Sequence, residues 1–164
     1  MTTVRRAVES DLDSIGALAE MKRIQYEAYQ PVFHRRAANA LKDHKAFLKT
    51  LLTRDNTLLL VAEEDRRVVG FVFVSIVEAP QVYDPQGKIC FIDDFMVEDS
   101  ALWLTAGKEL AQEAFEYSKH NGAVLANVVC GPQDTAKRAL LGQMGFQVGS
   151  EWHIRTLGSG ESHG

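Results

Sequence analysis

Cysteine, proline and tryptophan are scarce in this 164-residue chain, at two, four and two copies. Neither Cys90 nor Cys130 belongs to a C-x-x-C pair, which excludes a zinc ribbon. Both lie in apolar runs, where a small buried thiol is the plain reading. The five histidines share no ligand spacing, so no metal site is expected. No window of about 20 apolar residues exists, which excludes a membrane-spanning helix. Met1 to Arg6 has no apolar stretch behind its charges, so no signal peptide is read there. These absences lead to an expected soluble, cytoplasmic chain with no membrane partner. An excess of basic charge is missing too: 18 Lys and Arg stand against 22 Asp and Glu. That balance gives no push towards nucleic acid. An anionic small molecule can still meet a local site.

What is present is ordinary for a globular domain: 46% apolar and 24% charged residues, too apolar for a disordered chain. The length suits one domain. Residues 1–157 are read as that domain, and the polar, glycine-rich stretch 158–164 as a flexible tail.

Val4–Val8 is an expected strand. Ser10 with Asp13 reads as a capping box, so a helix starts near Asp11. Leu12, Ile15, Leu18, Ala19 and Met21 give it a helical stripe, and Pro31 ends it. A second helix is expected from Ala37 to Leu52, with the stripe Leu41, His44, Leu48, Leu51. Leu58–Ala62 and Val68–Val74, joined by the charged turn Glu64–Arg67, read as a hairpin. Pro80–Lys88 is a loop, and Ile89–Val97 one further strand. Leu104 to His120 is an amphipathic helix stopped by Asn121-Gly122. Ala123–Val129 is a strand, Asp134–Met144 a short helix, and Phe146–Leu157 holds one or two last strands. This order predicts an α/β (α+β) domain, a mixed sheet with helices on its faces.

The order and its central residues resemble the GNAT family of N-acetyltransferases, over roughly Val4 to Leu157. The best local match is Ile92-Asp93-Asp94-Phe95-Met96-Val97 followed by Gly107-Lys108-Glu109-Leu110. Val69-Gly70-Phe71 looks like the family's third-strand signature, and Gln143-Met144-Gly145-Phe146 like the end of its fourth helix. The resemblance implies a mostly antiparallel sheet of about six to seven strands flanked by about four helices. It implies acetyl-CoA as co-substrate, with the pyrophosphate on the turn that opens the helix. Unpaired helix N–H groups and the helix dipole suit phosphate there. The pantetheine arm would lie between the strand ending near Val97 and the strand near Asn127. The cofactor-binding candidates are therefore Phe95, Met96, Val97, Leu102, Trp103, Leu104, Thr105, Ala106, Gly107, Lys108 and Asn127. Lys108 and Arg138 are further candidates for an outlying phosphate.

The chain departs from the family pattern at several positions. Leu102 stands at the usual Arg or Gln, and Trp103 and Thr105 at usual glycines, so only Gly107 matches. Trp103 is either a core aromatic or an obstacle to the coenzyme. Leu141 stands where many members carry a Tyr acid, and Pro132-Gln133-Asp134 replaces a common Asn. Transfer to an amine needs a base for the ammonium proton. Asp93 and Asp94 are the catalytic candidates, since neighbouring strand residues face opposite ways and one can face the acceptor. A dry setting would raise that carboxyl's pKa. The other reading leaves one Asp solvated and the other holding a loop. His44 and His153 are weaker candidate bases, and Cys130 a weaker nucleophile. Two functions follow. One is an acetyl-CoA-dependent N-acetyltransferase acting on a primary amine of a small molecule or peptide. The other is a non-catalytic relative that senses acyl-CoA or serves as an interaction module. Exposed edge strands and the family habit lead to a possible homodimer.

Overall fold

Strands β2 (Thr57–Glu64) and β3 (Arg67–Val77) form the centre of the sheet. Their continuous apolar sequence reflects burial on both faces. In β2, Leu58 and Leu60 enter one core and Leu59 and Val61 the other, as alternation along a strand requires. The turn between them places Asp65 and Arg66 at positive φ, the mirror-image conformation that suits strand twist. β1 (Thr3–Arg6) pairs with β2, and β3 pairs with both β4 (Lys88–Ile92) and β5 (Phe95–Val97), all antiparallel. β6 (Ala123–Val128) joins β4 in parallel and closes the order β1-β2-β3-β4-β6, with β5 also on β3. This computed structural model describes residues 1–158. The expected tail therefore lies, apart from Gly158, outside the described residues.

Helices α1 (Leu12–Tyr29) and α2 (Ala40–Leu51) cover one face, burying Ile15, Leu18 and Leu48 against Leu59, Val61 and Phe71. Helix α3 (Ala106–His120) covers the other, setting Leu110, Ala111 and Ala114 on Val72, Val74 and Ile76. The short α4 (Thr135–Gln143) adds Leu140 to that second core. Gly70 lets β3 come close: a Cβ there would stand 3.1 Å from Met96 O and from Leu110 Cδ1.

Three expectations change. The start of α1 is fixed by Asp11 rather than by a Ser10 box: Val8 N–H donates to Asp11 Oδ2 at 2.8 Å. The expected strand Ile89–Val97 is two strands broken at Asp93-Asp94, although Phe73 N–H still donates to Asp94 O at 2.8 Å. The strands expected in Phe146–Leu157 do not form among the described residues. An alternating segment becomes a strand only where another offers a ladder, and this one instead sets Trp152 edge-on against Phe33, ring centroids 5.5 Å apart. Two stripe positions, Met21 and Leu41, also prove exposed.

Asp11 ties β1, α1 and β2 together. Arg5 grips it with two bonds of 2.7 and 2.9 Å and reaches Glu63 at 2.7 Å. The Arg5 hydrogen bonds hold the buried Asp11 carboxyl below the usual range, against the effect of burial. Asp11→Ala is expected to lower unfolding free energy by about 2 kcal/mol at pH 7, measured by urea denaturation. A carboxyl with a depressed folded pKa stabilises above its unfolded pKa and loses that contribution as pH falls. The difference between wild type and variant should therefore narrow below about pH 4.

Candidate active site

The parallel pairing of β4 with β6 ends at Ile92, whose carbonyl takes a last bond from Val129 N–H at 2.9 Å. Beyond it the strands part. β5 turns to β3, and the chain after Val129 leads to α4, so a fork opens between Phe95 and Val129. Lys137 of α4 spans it. Its Nζ donates to Val129 O at 2.8 Å and to Phe95 O at 3.4 Å. The Lys137 side chain is fully buried. Its Nζ lies 5.4 Å from the Phe95 ring centroid and 5.6 Å from that of Trp103. Burial, with the charge of Lys22, pushes the Lys137 ammonium down to about 8.

On the side of the break facing α1 and α2, Asp94 sits between two helices. Lys22 of α1 donates to Asp94 Oδ1 at 3.2 Å and to Asp93 O at 2.6 Å. His44 of α2 brings Nε2 within 2.9 Å of Asp94 Oδ2. The other ring nitrogen, His44 Nδ1, is buried and has no hydrogen-bond partner. Burial alone would raise the Asp94 carboxyl. The His44 hydrogen bond and the Lys22 charge outweigh it and hold Asp94 well below the usual carboxylate range. The expected upward shift is thus reversed, because the dry setting comes with a cation. Asp93 points to solvent, and its carboxylate has no partner among the described residues.

The turn before α3 is a short 3-10 helix, Ser100–Leu104, closed on itself. Asp99 Oδ1 accepts from Ala101 N–H at 2.8 Å, and Thr105 N–H donates to Leu102 O at 3.2 Å. Trp103 is buried with its ring edge-on to Phe95, centroids 4.8 Å apart. It rests on Gly107, where a Cβ would stand 2.9 Å from the indole. Of the two readings of Trp103, the core aromatic is the one observed, and Gly107 makes room for it.

The other cofactor-binding candidates scatter. Phe95, Met96, Val97 and Ala106 are buried, Leu102 is half-buried, and Leu104, Thr105 and Lys108 face solvent. Asn127 lies opposite Phe91 inside the β4–β6 ladder, below the point where the fork opens. Arg138 is exposed on α4, and His153 lies on the surface beside Glu151. Cys130 is half-buried, and burial pushes its thiol up, away from nucleophilic use.

Lys22, Tyr26 and Lys137 escaped the sequence reading. Tyr26 donates to Asp134 Oδ2 at 3.0 Å and accepts from Gly131 N–H at 3.1 Å, tying α1 to the segment that leads into α4. Burial pushes its hydroxyl up, so it stays protonated. The available signal was position. Lys22 and Tyr26 continue the buried stripe Ile15, Leu18, Ala19 of α1, and Lys137 precedes Leu140 and Leu141 on the buried face of α4. A polar side chain in an apolar stripe needs a reason.

A broken strand, a fork beside it and a helix opening at its base define an acetyltransferase fold. The chain matches the Acetyltransferase (GNAT) family over residues 18–146 and belongs to it. It is 27% identical over 148 residues to the uncharacterized N-acetyltransferase YhfO of Bacillus subtilis (strain 168), covering 88% of this chain and 89% of that protein. Among solved structures, a mutant BH1408 protein from Bacillus halodurans aligns with TM-score 0.82 at 14% identity, covering 94% of this chain and 99% of that one. A predicted acetyltransferase with acetyl-CoA from Clostridium acetobutylicum gives 0.74 at 16%, covering 95% and 96%. The aminoglycoside N-acetyltransferase AAC(6')-Iy in complex with CoA gives 0.72 at 16%, covering 96% and 95%. At these identities the solved structures establish the shared fold. No helix among the described residues is long and apolar enough to cross a membrane, and none of their His, Cys, Asp and Glu cluster as a metal site.

Proposed function

We propose that this chain transfers an acetyl group from acetyl-CoA to a primary amine of a small molecule or peptide. The observation that carries this reading is the fork beside the Lys22–Asp94–His44 network. The main chain at the fork suits an amide-bearing arm: Phe95 O and Val129 O face the gap with only a lysine side chain as donor. Phe95, Met96, Val97 and Val129 would hold the arm, and the turn up to Gly107 and Lys108 would lie towards the phosphates. When bound, acetyl-CoA supplies an activated acyl group as a thioester.

The protein's own part is to hold the fork and remove a proton. An ammonium acceptor must lose its proton before its nitrogen can attack. Asp94 is locked as a carboxylate by Lys22 and His44, so it serves as a positioning residue rather than as the base. His44 is the base in this reading. Its Nε2 is fixed by Asp94, and the buried, unpartnered Nδ1 is the atom that takes the proton once acceptor binding brings the amine or a water to it. Lys22 pins the strand break by donating to Asp93 O. Cationic acceptors gain little from the acids near the strand break. Asp94 is neutralised by Lys22, Glu98 by Arg67, and Asp99 is turned into its own loop, which leaves Asp93. The sheet ends at β6, whose exposed Val124 and Leu125 support the expected homodimer.

A second reading, a relative without transferase activity, is favoured by Lys137, which spans the fork with the chain's own side chain. Thermal unfolding with acetyl-CoA, CoA and ATP separates the two. Ligand at about 100 times its Kd adds about 2.7 kcal/mol of stability. For a domain of this size that shifts Tm by roughly 5–10 °C. A shift with acetyl-CoA and CoA but not with ATP is the expected result. No shift with either at millimolar concentration would leave the second reading standing.

A further inference from the structure

Lys137 is a buried cation with no carboxylate in direct contact, although it feels the charges of Asp134 and Asp93 at longer range and that of Lys22 against it. No carboxylate lies within ion-pair distance of its Nζ among the described residues, and its two hydrogen-bond partners are neutral backbone carbonyls. Buried charges are ordinarily paired, because removing one from water is costly. The two carbonyls explain what the ammonium does. Phe95 O lies at the start of β5 and Val129 O one residue past the end of β6, where the two segments have separated, so neither offers the other an N–H. A buried carbonyl without a donor is itself costly. Lysine reaches both from a third element, on a flexible four-carbon stem. On α4 only one face is buried, and Thr135 and Arg138 beside Lys137 are exposed, so solvent is close to its Cα.

We propose that Lys137 is an internal stand-in for the coenzyme arm: it closes the fork in the free protein and must swing out for the coenzyme to enter. This rests on the acetyl-CoA reading above. An arm carrying amide N–H groups would satisfy the same carbonyls, so lysine and coenzyme compete for one set of acceptors. The lysine lies on the buried face of α4 that also carries Leu141, its Nζ 5.6 Å from the Trp103 ring centroid. A protein that spends most of its time closed shows a weakened apparent affinity, by the fraction of molecules that are open.

Two measurements on the full chain test this. The first is calorimetric titration of CoA into wild type and Lys137→Ala, where the variant is expected to bind about 10-fold or more tightly. The second uses wild type alone and so does not depend on the variant folding. Lys137 is expected to resist an amine-acylating reagent in the free protein and to become labelled, by mass spectrometry of its peptide, when saturating CoA is present. Equal affinity of the two proteins, or weaker binding by the variant, overturns the stand-in while leaving the acetyl-CoA reading intact. Continued protection of Lys137 with CoA bound does the same. Absence of CoA binding by either protein at millimolar concentration removes both ideas together.

Discussion

His44→Gln is expected to lower kcat by about 100- to 1000-fold, in the range general-base catalysis contributes. CoA affinity, read by calorimetry, should stay within about twofold, because His44 lies on α2, away from the fork carbonyls. Glutamine is the informative replacement. Its amide can still donate to Asp94, so the ion pair with Lys22 and the strand break are kept, while no atom remains that takes up a proton near neutral pH. Asp94→Asn should behave differently. It removes the charge that fixes the imidazole but leaves the imidazole, so kcat falls less, by about 10-fold, with a KM for the amine that changes little. Restoring the carboxylate as Asp94→Glu should recover part of the rate, which a purely structural role in α1–α2 packing would not require. If His44→Gln retains a third or more of wild-type kcat at saturating substrates, the base is elsewhere, and solvent-facing Asp93 becomes the candidate.

The fold was legible wherever one segment's own pattern decides its structure. Leu58–Ala62 and Val68–Val74 are buried on both faces, and such runs announce central strands. The small residues of α3, Gly107, Ala111 and Ala114, announce a helix pressed close to a sheet. What stayed hidden depends on partners distant in sequence. The alternation in Phe146–Leu157 is real, but a strand also needs a neighbour with a free edge in register. Asp93 and Asp94 were legible as an adjacent pair at the chemical centre. The direction of the Asp94 pKa shift was not, because it depends on Lys22 and His44, which lie 72 and 50 positions away in the chain. Lys137 was invisible for a related reason. A lysine on a short helix reads as surface, and only the parting of β5 from β6 creates the carbonyls that draw it inside.

Lys137 also leads to a stability prediction, with the same slope against pH as for Asp11 but in an alkaline window. Its folded pKa is about 8, pushed down by burial, against about 10.4 in an unfolded chain. Below pH 8 both states carry the proton, and this group gives no slope. Between about 8 and 10.4 the unfolded chain holds more protons than the folded one, so unfolding free energy rises with pH. Above that interval both are neutral and the gain is complete. At 1.36 kcal/mol per unit the rise is about 3 kcal/mol, an upper figure because the interior yields and water penetrates. Lys137→Met fills the same volume without a titrating group, so its curve should lack this rise. Urea denaturation of both proteins at about pH 7.5, 9 and 10.5 should show wild type gaining on the variant by about 2–3 kcal/mol. Cys90 and Tyr26 titrate in both proteins and largely cancel in the difference, whereas the Cys130 thiol feels the Lys137 charge, so both proteins are best compared in a Cys130→Ala background. Parallel curves would mean that the ammonium is hydrated in the free protein and the fork is open without ligand. A rise confined to wild type would show that the cation is held in the fork at a cost in stability. An apolar side chain of similar volume would pack there as well or better. Such a cost would be relieved when an arm bearing amide N–H groups took over the two carbonyls and let the ammonium reach water, which is what the proposed stand-in requires.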